Sequence, residues 1–367
     1  MVFRPARVAV NSTELFMQQH KHQSLQSVKY SGPKHWCQPG IMWRLTAISG
    51  WSAVIISLLT VFADHWWLAD LFANLRVQLT ICLLATAVLL MCFQKWKLAV
   101  LQLVLAGLHL PWLICDFRFE TTGAMNDPPL LTVTTANVLT GNQRNKDIEE
   151  ELIAGSADVI AVLELSTNLR EQLAGDFAQI YPYSVLAPQD SANFGIGLYS
   201  KHPLNDPRID EFITEGIPSA SASISCDGRQ IHILATHPPP PISSMGYDQR
   251  NEHLNRLSTY VRQYRHLLPD VPVVVMGDLN LTPWSPVFSS FLNNAALRRA
   301  GTQTMWSPTW YHRFPYFPFG LVIDHVLMTN DLTDVYYTTG QDVGSDHRFV
   351  SVSLSVKQVA QNSASAD

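Results

Sequence analysis

The chain has 367 residues, enough for one large domain with additional segments and a substantial buried core. Only 15 % of residues are charged against 47 % hydrophobic, a balance that points to apolar runs diluting the charge of an otherwise soluble chain. The net charge of −5 argues against broad attraction to polyanions, and the five cysteines, without a Cys-x-x-Cys spacing, support neither a disulfide framework nor a zinc cluster.

Residues 1–44 are polar and irregular, with Arg4, Arg7, Lys21, Lys29, Lys34 and Arg44 set against one acid, Glu14. Residues 1–41 look neither amphipathic nor core-forming, and Met42, just ahead of Arg44, is an expected alternative start. Three uncharged apolar runs follow at 45–63, 77–93 and 98–115. Each approaches the length that a helix needs to cross roughly 30 Å of hydrocarbon, so 45–115 is expected to hold three transmembrane helices and to contact the lipid bilayer. Lys95 and Lys97 lie in the loop between the second and third runs, and the pre-helix segment is basic. The positive-inside tendency therefore places the N-terminus in the cytoplasm and everything after Cys115 on the other side. Trp66, Trp67, Trp96 and Trp112 suit interfacial anchoring, and His109 and Pro111 read as a helix contact and a bend.

Residues 116–129, with Gly123 and two prolines, read as a linker, and 357–367 as a polar tail. Between them, 130–356 forms one domain of short β-rich runs. Strands are predicted at 130–136, 158–163, 195–199, 220–226, 230–236, 272–277, 321–328 and 349–354, and helices at 146–155, 168–177 and 248–268.

Polar residues able to do chemistry recur where these strands end. Asn137 follows the first strand and Glu164 the second, and His237 ends Ile231–Thr236. Asp278 and Asn280 follow Val273–Gly277, Asp324 sits in Leu-Val-Ile-Asp-His-Val-Leu-Met, and Gly344-Ser-Asp-His347 precedes the last strand. A carboxylate at one strand end is usually a turn former; the ordered set is a much stronger signal. Elsewhere, His232 and His325 read as packing residues from their strand alternation, and Arg250 and Arg256 as helix charges, Arg250 either solvated, the favoured reading, or reaching the site. Pro238–Pro241 reads as a stiff loop wall.

The order Asn…Glu…His…Asp-x-Asn…Ile-Asp…Ser-Asp-His resembles the endonuclease/exonuclease/phosphatase superfamily over about residues 130–356. Val-Val-Val-Met-Gly-Asp-Leu-Asn280 and Gly-Ser-Asp-His347 are its most specific parts. The resemblance implies an α/β fold, a four-layered sandwich of two packed mixed β-sheets flanked by helices, here preceded by the three transmembrane helices. It implies a metal-dependent phosphoric ester hydrolase. Glu164, with Asn137 and Asp346, would hold Mg²⁺ or Mn²⁺, as oxygen donors without thiolates favour. Asp324 would orient His347, Asp278 would activate water or serve the leaving group, Asn280 would contact phosphate, and His237 would donate a proton. Membrane helices before such a domain resemble a bacterial membrane-bound subgroup, which implies an inner-membrane protein with a periplasmic catalytic domain.

The substrate stays open between nucleic acid and a lipid or sugar phosphate, and no protein partner is inferred. Only Lys146, Lys201 and Lys357 follow Leu130, which weakens the case for a duplex-DNA reader. The aromatic stretch 305–320 reads either as a packed loop or as a lip that stacks bases or sugars or touches the bilayer. A non-catalytic membrane receptor on the same scaffold is the alternative from another class; the intact carboxylate and histidine set speaks against it.

Overall fold

The computed structural model describes residues 39–114, 129–213, 216–301, 307–312 and 319–357. Most of the N-terminal segment, the linker and the tail, and Trp306, Phe314, Tyr316 and Phe317 of the aromatic stretch, lie outside the described residues.

Four helices open the described chain: α1 Pro39–Leu59, α2 Trp67–Asn74, α3 Arg76–Cys92 and α4 Trp96–Ile114. Their packing is inverted relative to a soluble bundle. Ile48, Trp51, Ile55, Leu58, Val88, Val104 and Leu108 point outward, whereas Ser57, Thr80, Thr86, Gln102 and His109 are buried between helices. His109 Nε2 meets Ser57 Oγ at 2.6 Å, and Thr86 Oγ1 donates to Gln102 Oε1 at 3.0 Å. Apolar-out, polar-in packing is what lipid as solvent favours. Two helices, 40–62 and 96–114, are long and apolar enough to cross a membrane. The expected middle span differs: α3 has 17 residues and qualifies only together with α2, from which it is bent by 72°.

The rest forms two six-stranded mixed sheets. Their central strands are β1 Leu131–Asn137, β2 Val159–Leu163, β4 Ile196–Ser200, β7 Arg229–Ala235, β8 Val273–Asp278, β12 Asp324–Met328 and β14 Val350–Val356. With β3 at Tyr183–Ala187, β5 at Asn205–Glu211, β6 at Pro218–Cys226, β9 at Arg298–Arg299 and β13 at Leu332–Thr339, the first sheet has the order β13-β14-β1-β2-β4-β3 and the second β5-β6-β7-β8-β12-β9; β10 Trp310–Tyr311 and β11 Gly320–Leu321 pair separately. Strands β2 and β8 are apolar on both faces because both faces are covered, whereas β14 alternates, with Ser351, Ser353 and Ser355 on its half-buried side. In β2, Val159, Ala161 and Leu163 join the core between the sheets, and Ile160 and Val162 face α5 Asn145–Ala154 and α6 Thr167–Gln172. In β8, Val274 and Met276 face the other sheet, and Val273 and Val275 pack under α8 Ser244–Leu267 and α9 Pro286–Ala295. The layers are therefore α, β, β, α. The predicted helix 168–177 is two short ones, α6 and α7 Asp176–Ile180, separated at Gly175, which is the N-cap of α7.

Topology fixes where polar strand ends meet. Strands β1 and β2 run parallel, and β14 runs antiparallel to β1. Strands β7 and β8 run parallel, and β12 runs antiparallel to β8, pairing Asp324 with Asp278. The C-terminal ends of β1, β2, β7 and β8 and the N-terminal ends of β12 and β14 thus open at one rim of the sandwich.

Helix α2 docks on that same rim. Asn74 Oδ1 accepts from Thr282 N at 2.7 Å, Asn74 O accepts from Trp284 Nε1 at 2.8 Å, and Tyr247 Oη donates to Ala63 O at 3.1 Å. Arg250, read from sequence mainly as a solvated charge, is instead fully buried and pairs with Asp70 Oδ2 at 2.9 Å. Its place on α8 explains this: Tyr247, Arg250, Leu254, Leu257 and Val261 form one buried stripe at helical spacing.

Two predictions follow from this packing. Removing one partner of a buried ion pair costs about 3–5 kcal/mol, because the other charge is stranded. Asp70→Ala should therefore melt well below wild type in detergent, and Asp70→Ala/Arg250→Met should recover most of the loss; an unchanged melting temperature for the single variant would contradict the buried pair. His232, His253 and His325 are kept neutral by burial, with pKa values lowered to about 4, 3 and 3. The unfolded chain protonates them near pH 6.5, so their contribution is complete above that value and drains as pH falls toward 3–4. Thermal unfolding should weaken steadily between pH 6.5 and 4, less steeply in His253→Gln; equal slopes would contradict a neutral buried imidazole.

Candidate active site

Asp278 is the centre of the rim. Its side chain is 2 % exposed, so its charge needs partners. Asn280 N donates to Oδ1 at 2.9 Å and Asn137 Nδ2 to Oδ2 at 3.2 Å, with His237 Nε2 at 3.5 Å and His347 Nε2 at 3.6 Å from the same Oδ2. Gly277 lets β8 approach this point: a Cβ there would collide with the Thr236 carbonyl oxygen of the neighbouring chain segment.

Behind His347 stands Asp324, whose Oδ2 lies 2.9 Å from Nδ1. Asp324 is itself held by Thr309 Oγ1, which accepts from the Asp324 and Ile323 amides at 3.1 Å each. Burial disfavours a charged His347, but the carboxylates of Asp324 and Asp278 outweigh it and push the imidazole up to about 10. The same contest runs the other way at Asp278, where burial raises the pKa and the two facing imidazoles overcome it, holding the carboxyl at about 2. His237 loses to burial and gains more from Asp278 and Glu164, so it too is raised. Burial pushes the Asp324 carboxyl up, against the pull of the facing His347 imidazole. The rim therefore carries proton donors facing a carboxylate that stays ionised.

Glu164 follows β2 in a left-handed conformation, φ 60°, and Asn280 follows β8 at φ 50°. Such strain in non-glycine residues clusters at functional sites. Glu164 Oε2 accepts from Thr140 N at 2.9 Å and Oγ1 at 3.1 Å, and Oε1 accepts from Asn137 Nδ2 at 3.1 Å. Asn137 thus ties Glu164 to Asp278, while its own Oδ1 accepts from Leu139 N. Across the cavity, Asp346 is positioned by Trp310, whose indole donates to Oδ2 at 2.9 Å. Its Oδ1 is turned toward His347 Nε2, 4.0 Å away.

All eight residues expected from the sequence come together here, and seven of them line or adjoin one cavity of about 430 Å³, with Asp324 behind His347. Phe194, Pro240, Pro241 and Ile242 form apolar walls, the prolines as expected. Thr140 and Thr309 escaped the sequence reading, Trp310 was read only as part of the aromatic stretch, and Arg250 was read mainly as a solvated charge. Arg250 Nη1 reaches Asn280 O at 3.4 Å, and its position in the α8 stripe was the available signal. His325 packs instead, bonding Leu281 O at 2.8 Å and lying 4.8 Å from the Phe288 ring.

Two groupings are open to a cation. Asp278, Asp324 and His347 bring ligand atoms within 4.8 Å of one another, a grouping that could hold a metal ion. Glu164 and Asp346 line the same cavity, and carboxylate oxygens are donors that suit a hard divalent cation.

The family model described as Endonuclease/Exonuclease/phosphatase family matches residues 134–347, a span that contains every one of these eight residues. No curated protein matches the chain. Among solved structures, an endonuclease/exonuclease/phosphatase from Beutenbergia cavernae DSM 12333 is 21 % identical with a TM-score of 0.51, covering 62 % of this chain and 72 % of that one; this likeness is one of fold. Humanized D. rerio TDP2 is 16 % identical (TM-score 0.49, 62 % of this chain and 99 % of that chain). Sphingomyelinase C from Streptomyces griseocarneus is 19 % identical (TM-score 0.47, 62 % and 99 %). With its sandwich and more than half its length matched by the family model, the chain belongs to the endonuclease/exonuclease/phosphatase family.

Proposed function

We propose that this protein is a membrane-anchored, metal-dependent hydrolase of phosphate esters. The observation that carries the reading is the buried Asp278 carboxylate, flanked by His237 and His347 and opening on the same cavity as Glu164 and Asp346. Membrane anchoring draws on the inverted packing of α1, α3 and α4, with the N-terminus cytoplasmic and 130–356 as the catalytic domain outside.

Glu164 and Asp346 would hold Mg²⁺ or Mn²⁺, with Asn137 keeping Glu164 in place. When bound, the cation supplies charge neutralisation at a phosphoryl oxygen. Asp278, ionised, accepts a hydrogen bond from the attacking water and orients it in line with the leaving oxygen. Protonated His347 contacts a phosphoryl oxygen, and Asp324 acts as a positioning residue that fixes its tautomer and charge. His237 donates its proton to the leaving oxygen. Asn280 Nδ2 gives one hydrogen to Pro238 O at 3.0 Å and keeps the other for phosphate.

The full chain in detergent, with Mn²⁺ or Mg²⁺, is expected to hydrolyse an aryl phosphodiester. His347→Ala should slow turnover by at least about a hundredfold, the scale of a lost acid–base group. Glu164→Gln should raise the metal concentration for half-maximal activity by about tenfold or more, the low end of what losing even an outer-shell partner costs. Activity that is indifferent to chelation, or a fully active His347→Ala, would refute the reading.

A further inference from the structure

The cavity has a wall that the catalytic domain does not provide. Leu71 and Asn74 of α2 line it, together with Pro240 and Ile242 of the loop after His237. Helix α2 leads directly into α3, whose first turn touches the catalytic domain: Gln78 Nε2 donates to Gly320 O at 3.1 Å. Val77 of α3 and Leu113 of α4 pack with Trp284 and Val322, which flank the site loops. Eight helical residues span about 12 Å, so the cavity lies within that distance of the point where the chain turns into α3. Among the lining residues Ile242 is 75 % exposed, and Met245, three residues further along the chain, is 69 % exposed.

The two wall residues have different tasks. Asn74 is spent on structure: Oδ1 and O hold Thr282 and Trp284, and Nδ2 returns to Asp70. Leu71 is half-buried and offers the cavity only hydrocarbon. A phosphate ester of a wholly polar alcohol gains nothing from Leu71 and Ile242, whereas each methylene buried against such a surface contributes about 0.8 kcal/mol, close to a fourfold change in affinity. An apolar wall built by the membrane segment, at the junction of α2 with α3, suits an ester whose apolar portion stays with the bilayer while its phosphate enters the rim.

We propose that α2 completes the substrate site, and that Leu71 with Ile242 selects phosphate esters carried on an apolar chain at the membrane surface. The inference rests on the phosphoesterase reading. It also means that a fragment beginning after the membrane helices lacks part of its own site.

The test uses the full chain in lipid vesicles with Mn²⁺ and two phosphodiesters sharing a p-nitrophenyl leaving group, one carrying a second p-nitrophenyl group and one a hexadecyl chain. Wild type should prefer the hexadecyl ester. Leu71→Asn should raise its KM by roughly tenfold at nearly constant kcat, with a clearly smaller effect on the soluble ester, and Leu71→Met should keep the wild-type preference. Equal use of both esters, or an equal effect of Leu71→Asn on both, would overturn this inference and leave the phosphoesterase reading standing. A preference for a single-stranded oligonucleotide over the hexadecyl ester would do the same. Hydrolysis of none of them by wild type would overturn both.

Discussion

A buried carboxylate that has to stay charged organises this molecule. Asp278 sits at the end of a strand in the middle of the second sheet, shielded from water, and an isolated charge there is unsustainable. Four donors from four chain segments converge on it: the Asn280 amide, the Asn137 carboxamide and the imidazoles of His237 and His347. Each donor in turn needs its own support. Asp324 holds His347, Thr309 holds Asp324, Pro238 holds Asn280, and Glu164 shares Asn137. Neutralising Asp278 would remove the main partner that raises His237 and the second, after Asp324, of those that raise His347, so these groups titrate together.

The same logic reaches the apolar N-terminal helices. Arg250 lies on the buried face of α8 and needs an anion, and the chain provides Asp70 on α2. Arg250 also meets the Asn280 carbonyl, so the Asp70 carboxylate stands two contacts away from the Asp278 shell. Breaking such a pair is expensive even when forming it gains little over an apolar substitute. It therefore serves to fix one docking geometry between helices and sandwich, and with it one cavity shape.

Much of the fold was legible because both-face burial writes itself into sequence. Strands β2, β7 and β8 are continuous apolar runs ending in polar residues, and those ends are the site. Edge strands were not legible. Asn205–Glu211 is exposed along almost its whole length and contains Pro207, and Leu332–Thr339 carries a register shift between Asp334 and Tyr336. Backbone pairing defines these strands, and no side-chain period announces it. Helix α9 was not predicted, although the Ser285 cap and Pro286 in its first turn are a start signal. In the site, residue types with intrinsic chemistry stood out, whereas Thr140, Thr309 and Trp310 act only through distances. Asp70 and Arg250 are 180 positions apart in sequence; no local pattern links them, although the stripe on α8 marked Arg250 as inward.

The central claim is that Asp278, Asp324 and His347 handle protons while Glu164 and Asp346 hold the cation. Anomalous diffraction from crystals of the full chain soaked in Mn²⁺ separates these roles directly. The account predicts a peak about 2 Å from carboxylate oxygens of Glu164 and Asp346. A peak seated on Asp278, Asp324 and His347, or none at either place under saturating Mn²⁺, would contradict it.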